Sequence, residues 1–259
     1  HNGSAAPSAD AGRARVRVSA TPPEQLGLVP RMVTTLFARA DALRAKMVAE
    51  GKVAESVTVK VSFLQIYKER VYDLLNPVHT LAKQEVGKGE EVAGLRMRWH
   101  PIRRQFFVEN LFEFDCNTAD ELLEHYGTGI RNKHVASTAM NVASSRSHTV
   151  LMVTLVRRTG LSETSDVSAV RSVVSKLALV DLAGSERASA SSGCDRSAVR
   201  FQEAVNINQS LFVLRKVITA LSKRQEGDDR AVHVPYRESK LTSLLQHSIG
   251  GDNFFLLFG

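Results

Sequence analysis

The chain has 259 residues and a formal net charge of +7, and 43% of its residues are hydrophobic and 24% are charged. These ordinary globular values exclude a disordered or a fibrous chain. Two cysteines cannot build a disulfide framework or a zinc cluster, and the longest apolar runs fall far short of the roughly 20 residues that span a bilayer. We therefore expect a soluble protein of a reducing compartment, whose moderate positive charge permits an acidic partner without selecting one.

The first predicted helix and strand follow a polar beginning. Residues 1–27 are rich in Ala, Ser, Gly and Pro and are interpreted as a loop or the remnant of an insertion. From Leu28, apolar residues recur at spacings of three and four as far as Met47, which predicts a helix. Val57 to Tyr67 alternates apolar and polar side chains, which predicts a strand.

The middle of the chain predicts a hairpin and a second helix. The hairpin is expected over Leu95 to Val108, with an interruption at His100 and Pro101. Thr118 and Glu121 form a capping box, which predicts a helix through Tyr126. The hairpin therefore separates the first strand from the next helix.

The carboxyl-terminal half predicts three strands and two helices. Thr149 to Val156 and Val173 to Val180 are apolar, β-branched runs. The second is expected to be a central strand covered on both faces. A long helix follows over Ile207 to Leu221, then a shorter helix from about Ser239 and a last strand at Phe254 to Phe258. Strands interleaved with helices predict one α/β layered domain.

The motif DLAGSE follows the second apolar run. An Asp at the carboxyl end of a buried parallel strand lies where open α/β sheets bind ligands. In phosphate-transfer folds, such an Asp holds Mg²⁺, and the Gly three residues later offers its N–H to a terminal phosphate. Asp181 and Gly184 fit this pattern. The alternative is structural: Asp181 caps a turn in which Gly184 takes a positive φ.

The segment NVASSRSH, residues 141–148, concentrates hydroxyl, amide, guanidinium and imidazole groups just before a predicted strand. A phosphate site and a solvated Ser-rich loop both account for it. For His148 we favour a core histidine at the start of the strand over a catalytic base.

Together these segments resemble the switch regions of a kinesin motor domain. NVASSRSH matches the switch I pattern of that family and DLAGSE matches switch II. In chain order, VSFLQIYKERVYDLL resembles a central strand and its turn, VNINQSLFVLRKVITAL the relay helix, and VPYRESKLTSLLQHSIGGD the microtubule-binding loop and helix. The resemblance begins at about residue 27 and extends to the end of the chain.

The resemblance implies an α/β, kinesin-like P-loop NTPase fold, with a central, mixed but mostly parallel sheet and helices on both faces. It divides the chain into 1–27, a loop or insertion remnant, and 28–259, a partial motor domain. The nucleotide loop GxxxxGK[ST] of the family does not occur in the sequence. We expect it to lie upstream of residue 1, so this chain alone is not expected to bind ATP well.

The resemblance also implies roles at a site for ATP and Mg²⁺. Ser145 would contact Mg²⁺ and the terminal phosphate, and Asp181 would hold the same ion through water. Arg146 and Glu186 would pair when the switches close, and Gly184 would sense the phosphate through its N–H. The implied nucleotide-binding set further includes Asn141 and Ser144.

Tubulin is acidic, so the track-binding surface of the family is basic. The corresponding positions are Arg103, Arg104, Lys223, Arg224, Arg237 and Lys240. The alternative for each of them is an ordinary solvated charge.

The function implied is a microtubule-based motor ATPase of the cytoplasm and cytoskeleton, with microtubules as partner. Neither a membrane nor a nucleic acid is expected as a partner, and a dimer would form through regions outside the chain. Gln209 and Arg215 depart from the family's relay-helix pattern, and the loop 187–202 is longer than usual. These departures motivate the alternative of a non-motile, kinesin-derived microtubule binder in a stable array such as an axoneme.

Overall fold

The computed structural model describes residues 26–52, 55–76, 94–139, 147–159, 171–184, 197–225, 233–250 and 253–257. The helices in these ranges are α1 (Leu28–Ala49), α2 (Ala119–Ala139), α3 (Ser197–Gln225) and α4 (Lys240–Gly250), with a 3₁₀ turn at Tyr236–Glu238 before α4. The strands are β1 (Ser56–Tyr67), β2 (Arg70–Asp73), β3 (Met97–His100), β4 (Gln105–Val108), β5 (Phe114–Cys116), β6 (His148–Thr159) and β7 (Arg171–Asp181). None of the described helices is long and apolar enough to cross a membrane.

The main sheet has the strand order β2-β1-β6-β7, and β5 also pairs with β1. Every pair of described strands is antiparallel, including β6 with β7, where Thr149 lies opposite Asp181. The prediction of a mostly parallel sheet, with Asp181 ending a parallel strand, is therefore wrong for these strands. The physical reason is the spacing in the chain, because β7 begins only 12 residues after the end of β6, whereas parallel neighbours need a crossover of a dozen or more residues that usually includes a helix.

The prediction that β7 is a central strand is wrong within the described part of the chain, and the predicted covering of both faces holds only near its end. There β7 is an edge strand, and its Val173, Val174 and Leu177 are exposed. Near its end both faces are covered, because Ala178 and Val180 pack on one core and Leu179 packs on the other. The apolar sequence predicted the strand correctly, but apolarity alone does not say how many neighbours a strand has.

Helices cover both faces of the sheet, as predicted. The side chains of β1 alternate, so that Val59, Val61 and Phe63 face α1 and α2 whereas Leu64 and Ile66 face α3 and α4. The first core also contains Val33, Phe37, Leu122, Leu151 and Val153, and the second contains Val71, Val150, Leu214, Leu241 and Leu245. Burying each such side chain contributes about 1.5–3 kcal/mol.

Three predicted boundaries need correction. The helix predicted over Ile207 to Leu221 is α3, which begins at Ser197 and ends at Gln225, so residues 197–202 of the predicted loop 187–202 are helical. The capping box at the start of α2 is present, since the Glu121 N–H donates to Thr118 Oγ1 at 3.2 Å. The helix then continues past Tyr126 to Ala139, because Gly129 and Ile130 pack on the first core and hold the extra turns in place. Residues 253–257 do not form the predicted last strand, because no described strand pairs with them and their side chains are exposed.

The turn between β1 and β2 contacts the first residue of α4, which lies far away in the sequence. Lys68 and Glu69 have φ of +49° and +56°, which suits a tight hairpin between antiparallel strands. The Glu69 carboxylate accepts a hydrogen bond of 2.6 Å from the backbone N–H of Lys240, the first residue of α4. A carboxylate at this position accepts from an N–H that has no partner within the helix, and its negative charge interacts favourably with the positive end of the helix dipole.

Replacing this cap tests its contribution. Glu69→Ala is expected to lower the free energy of unfolding by about 1 kcal/mol, because the α4 N–H loses its partner. Glu69→Gln keeps an oxygen acceptor without the charge, so its free energy of unfolding should fall by less than that of Glu69→Ala. Urea denaturation measures both variants, and an unchanged midpoint for Glu69→Ala would show that the cap contributes nothing.

Candidate functional site

The described part of the DLAGSE segment begins at Asp181, the last residue of β7. Its carboxylate Oδ2 lies 3.0 Å from the Nζ of Lys133, which α2 supplies. The Lys133 side chain is only 11% exposed, whereas that of Asp181 is 72% exposed. A buried ammonium is unfavourable without an anion, whereas an exposed carboxylate is solvated by water. Lys133 therefore depends on Asp181 more than Asp181 depends on Lys133. The contact holds the carboxylate at the edge of the sheet.

His148 lies at the start of β6, beside the same loop. The backbone N–H of Ala183 donates to its Nδ1 at 3.0 Å, and its Nε2 lies 2.8 Å from Ser210 Oγ on α3. Because Nδ1 accepts a hydrogen bond, the ring proton is on Nε2, which donates to Ser210. Burial lowers the pKa of His148 to about 4, and the negative charge of Asp181 opposes this only partly. The prediction of a core histidine is confirmed.

Ser147 precedes His148 and is also buried. Its hydroxyl accepts a hydrogen bond of 2.7 Å from the Gln65 amide of β1. Two successive residues at the end of the NVASSRSH segment are thus tied to the sheet. This arrangement positions the chain at the point where that segment joins β6.

The remaining predicted nucleotide residues lie outside the described part of the chain. They are Asn141, Ser144, Ser145, Arg146 and Glu186. Gly184 is described and follows Ala183 directly, three residues after Asp181. The structure therefore brings Asp181 and Gly184 to one short loop beside Lys133 and His148.

The predicted basic positions lie on the layer formed by α3, α4 and the β3–β4 hairpin. Arg103 and Arg104 are exposed in the turn of the hairpin. The guanidinium of Arg237, in the 3₁₀ turn, lies 5.7 Å from the Trp99 ring centroid and 5.8 Å from that of Phe106. These distances suit cation–π contacts, so Arg237 attaches the 3₁₀ turn to the hairpin.

The other basic positions are on the two helices of this layer. Lys223 is exposed near the end of α3, and Arg224 follows it in the backbone of the same turn. Lys240 is the first residue of α4 and is partly buried. Lys216 of α3 pairs with Glu238 of the 3₁₀ turn at 3.0 Å, which joins α3 to that turn.

The family is decided by comparison with known proteins. A family profile described as the kinesin motor domain matches residues 16–258. The chain belongs to the kinesin motor-domain family. This motor-domain sequence is 36% identical over 249 residues to kinesin-like protein KIF1C of Homo sapiens, covering 94% of this chain and 20% of that protein. It is 40% identical over 226 residues to kinesin-like protein KIF15-A of Xenopus laevis, covering 87% of this chain and 14% of that protein.

Solved kinesin structures share the fold. A fast kinesin matches with a TM-score of 0.67 and 32% identity, covering 91% of this chain and 56% of that one. A KIF14 dimer with AMP-PNP in complex with a microtubule matches with a TM-score of 0.64 and 34% identity, covering 89% and 57%. This kinesin chain therefore spans a little over half of the motor structures that it matches, and a fifth or less of the curated relatives named above.

Sequence reasoning missed two residues of the candidate site and one residue that caps a helix of the basic layer. Lys133 had no motif around it, although a lysine on the apolar side of a helix is a signal for a buried ion pair. Ser210 belongs to the relay-helix motif, but nothing local indicates that it faces His148. Glu69 caps a helix that begins 171 residues later in the chain, so no local pattern reveals it.

Proposed function

We propose that the protein carrying this chain is a microtubule-dependent ATPase that couples ATP hydrolysis to movement along microtubules. One observation carries the proposal beyond family membership: the loop from Asp181 to Gly184 packs on the layer that bears the basic residues. Leu182, inside that loop, contacts the core that contains Leu214 of α3 and Leu241 of α4. A change at the nucleotide therefore has a short, packed route to the surface that would meet the track.

The chemistry at Asp181 suits Mg²⁺. Carboxylate oxygen is a preferred ligand of this ion, which usually keeps several waters and takes few protein ligands. Asp181 is exposed and Lys133 contacts only its Oδ2 in the described structure, which is compatible with a water-mediated contact to the ion. Bound Mg²⁺ would neutralise charge on the phosphates of ATP.

The other nucleotide roles are proposed from the motif. Ser145 would provide a hydroxyl ligand to the ion, and the N–H of Gly184 would donate to the terminal phosphate. Arg146 and Glu186 would form an ion pair that closes the site, and such a pair suits a two-state switch. Asn141 and Ser144 complete the proposed ATP-binding set.

The basic layer is proposed as the microtubule-binding surface. Arg237 joins the 3₁₀ turn to the hairpin, so Arg103 and Arg104 lie on the same structural unit as Arg237 and Lys240. Lys223 and Arg224 extend this set along α3. Acidic tubulin is the matching partner for such a surface. The KIF14 structure, which is in complex with a microtubule, supports this partner by analogy.

The hairpin charges provide a direct test of that surface. The double variant Arg103→Glu/Arg104→Glu is expected to raise the Kd for microtubules roughly tenfold at low ionic strength, because two attractions become repulsions. The difference should shrink as salt is added. Arg39→Glu is the control, because Arg39 is exposed on α1, which covers the other face of the sheet. Equal Kd values for the double variant and wild type in co-sedimentation would contradict the assignment.

The function itself is tested on the full-length protein, because this chain lacks the GxxxxGK[ST] loop. We expect its ATPase rate to rise when microtubules are added, and surface-bound protein to move microtubules in a gliding assay. ATPase without microtubule stimulation would contradict the motor function. Stable microtubule binding without gliding would instead support the non-motile alternative suggested by Gln209 and Arg215.

The proposed location follows from the partner. A microtubule motor works in the cytoplasm on the cytoskeleton, whereas an axonemal position stays a prediction from the departures in the sequence. Dimerisation through other parts of the protein is likewise a prediction. Residues 28–259 are proposed as a partial motor domain, with residues 1–27 as a loop or the remnant of an insertion.

A further inference from the structure

His148 connects the loop after β7 to α3. It is the first residue of β6, and its two ring nitrogens face different elements. Nδ1 accepts from the N–H of Ala183, in the switch II loop, at 3.0 Å. Nε2 lies 2.8 Å from the hydroxyl of Ser210, on α3. One rigid ring therefore spans the gap between the loop and the helix.

The link is buried and has a fixed direction. His148 is 3% exposed and Ser210 is 2% exposed, so both bonds are shielded from bulk solvent. The bond from Ala183 leaves the ring proton on Nε2, which makes Ser210 Oγ the acceptor. The lowered pKa of about 4 keeps the imidazole neutral at physiological pH. The same donor and acceptor pattern is thus maintained under working conditions.

The contacts around the link are apolar and less directional. Leu182, beside Ala183, packs in the same core as Leu214, one turn along α3 from Ser210. Apolar packing resists separation but allows sliding, whereas a hydrogen bond weakens steeply when its angle changes. The two bonds of His148 therefore specify the orientation of the Ala183 peptide relative to α3.

We propose that His148 is a positioning residue that couples the switch II loop to α3 by holding the Ala183 peptide and Ser210 on opposite sides of its ring. Gly184 follows Ala183 directly, so a rotation that aims the Gly184 N–H at a phosphate moves the adjoining peptide. The ring must then follow and shift Ser210, or release one of its two partners. The first response moves α3, and the second breaks the link between the loop and the helix. This inference rests on the proposed motor function.

Ser210→Ala tests the link, because it removes the acceptor on α3 and leaves the switch II side intact. The readout is the ratio of microtubule-stimulated to basal ATPase of the full-length protein, since a partly unfolded sample lowers both rates and leaves their ratio unchanged. We expect Ser210→Ala to lower the ratio about fivefold. Ser210→Thr retains a hydroxyl and should restore most of it. Ser62→Ala is the matched control, because Ser62 is a buried serine of β1.

A second measurement does not depend on motor activity. Denaturation of His148→Gln, Ser210→Ala and the double variant should show non-additive stability changes, because the two residues share a hydrogen bond. Additive changes, or a wild-type ATPase ratio in Ser210→Ala when the wild-type protein is stimulated, would overturn the inference. A wild-type protein that microtubules do not stimulate would contradict the proposed function, and the coupling role would be lost with it.

Discussion

Gly129→Ala is expected to lower the free energy of unfolding by about 2 kcal/mol or more. A Cβ at this position would lie 2.1 Å from Cδ1 and 2.7 Å from Cε1 of Phe63. The Phe63 ring cannot withdraw easily, because it is 3% exposed, belongs to the first core and stacks on Tyr126 with ring centroids 5.8 Å apart. The strain should exceed the gain of up to about 1 kcal/mol that alanine brings to a helix interior.

Gly127→Ala is the control for Gly129→Ala. Gly127 lies in the same helix, but a Cβ there meets only the end of the Arg131 side chain, at 3.4 Å. Helix propensity then dominates, and we expect a gain of about 0.5–1 kcal/mol. Thermal or urea denaturation should thus give opposite signs for two chemically identical changes. If both variants were stabilised, the close packing of α2 on β1 would be contradicted.

Acidification is expected to destabilise the protein through His148, by about 3 kcal/mol between pH 6.5 and 4. Burial lowers the pKa of His148 from 6.5 to about 4 in the folded protein. Between these values the unfolded chain binds a proton that the folded chain does not, so stability falls as the pH falls. Well above pH 6.5 the residue is neutral in both states, and its contribution is constant. Asp181 is the negative group that acts on the ring, and it reduces the effect.

His148→Gln isolates this contribution from the carboxylates, which titrate over part of the same range. The variant removes the titrating ring, so its stability should depend less steeply on pH between 6.5 and 4 than that of the wild type. Urea denaturation at several pH values gives both slopes. Parallel curves for wild type and variant would mean that His148 is not held neutral in the folded protein.

Local patterns predicted the elements well because each pattern reports a local geometry. The alternation in β1 and the three-four spacing in α1 and α3 are confirmed, as are the hairpin over residues 97–108 and the helix from Lys240. The capping box at Thr118 and Glu121 predicted the start of α2 but not its end. The packing of Gly129 on Phe63 holds the turns of α2 that lie beyond Tyr126. The two residues are far apart in the chain, so no local pattern reveals this contact.

The motifs identified the family because several of them occur in the right order, which no single motif could establish. The motif also predicted that Asp181 lies at the carboxyl end of a strand, and β7 ends at this residue. Composition contributed little here, since a charge of +7 is compatible with several partners.

By itself, the sequence determined the elements, the family and the kind of chemistry to expect, because period, caps and motifs depend on neighbours in the chain. Only the tertiary structure decided which distant groups meet: Lys133 with Asp181, Arg237 with Trp99, and His148 with Ala183 and Ser210. It also decided that β7 is an antiparallel edge strand in the described part of the chain. Such contacts form when buried polar and charged groups must find partners, and the available partners depend on how the layers pack.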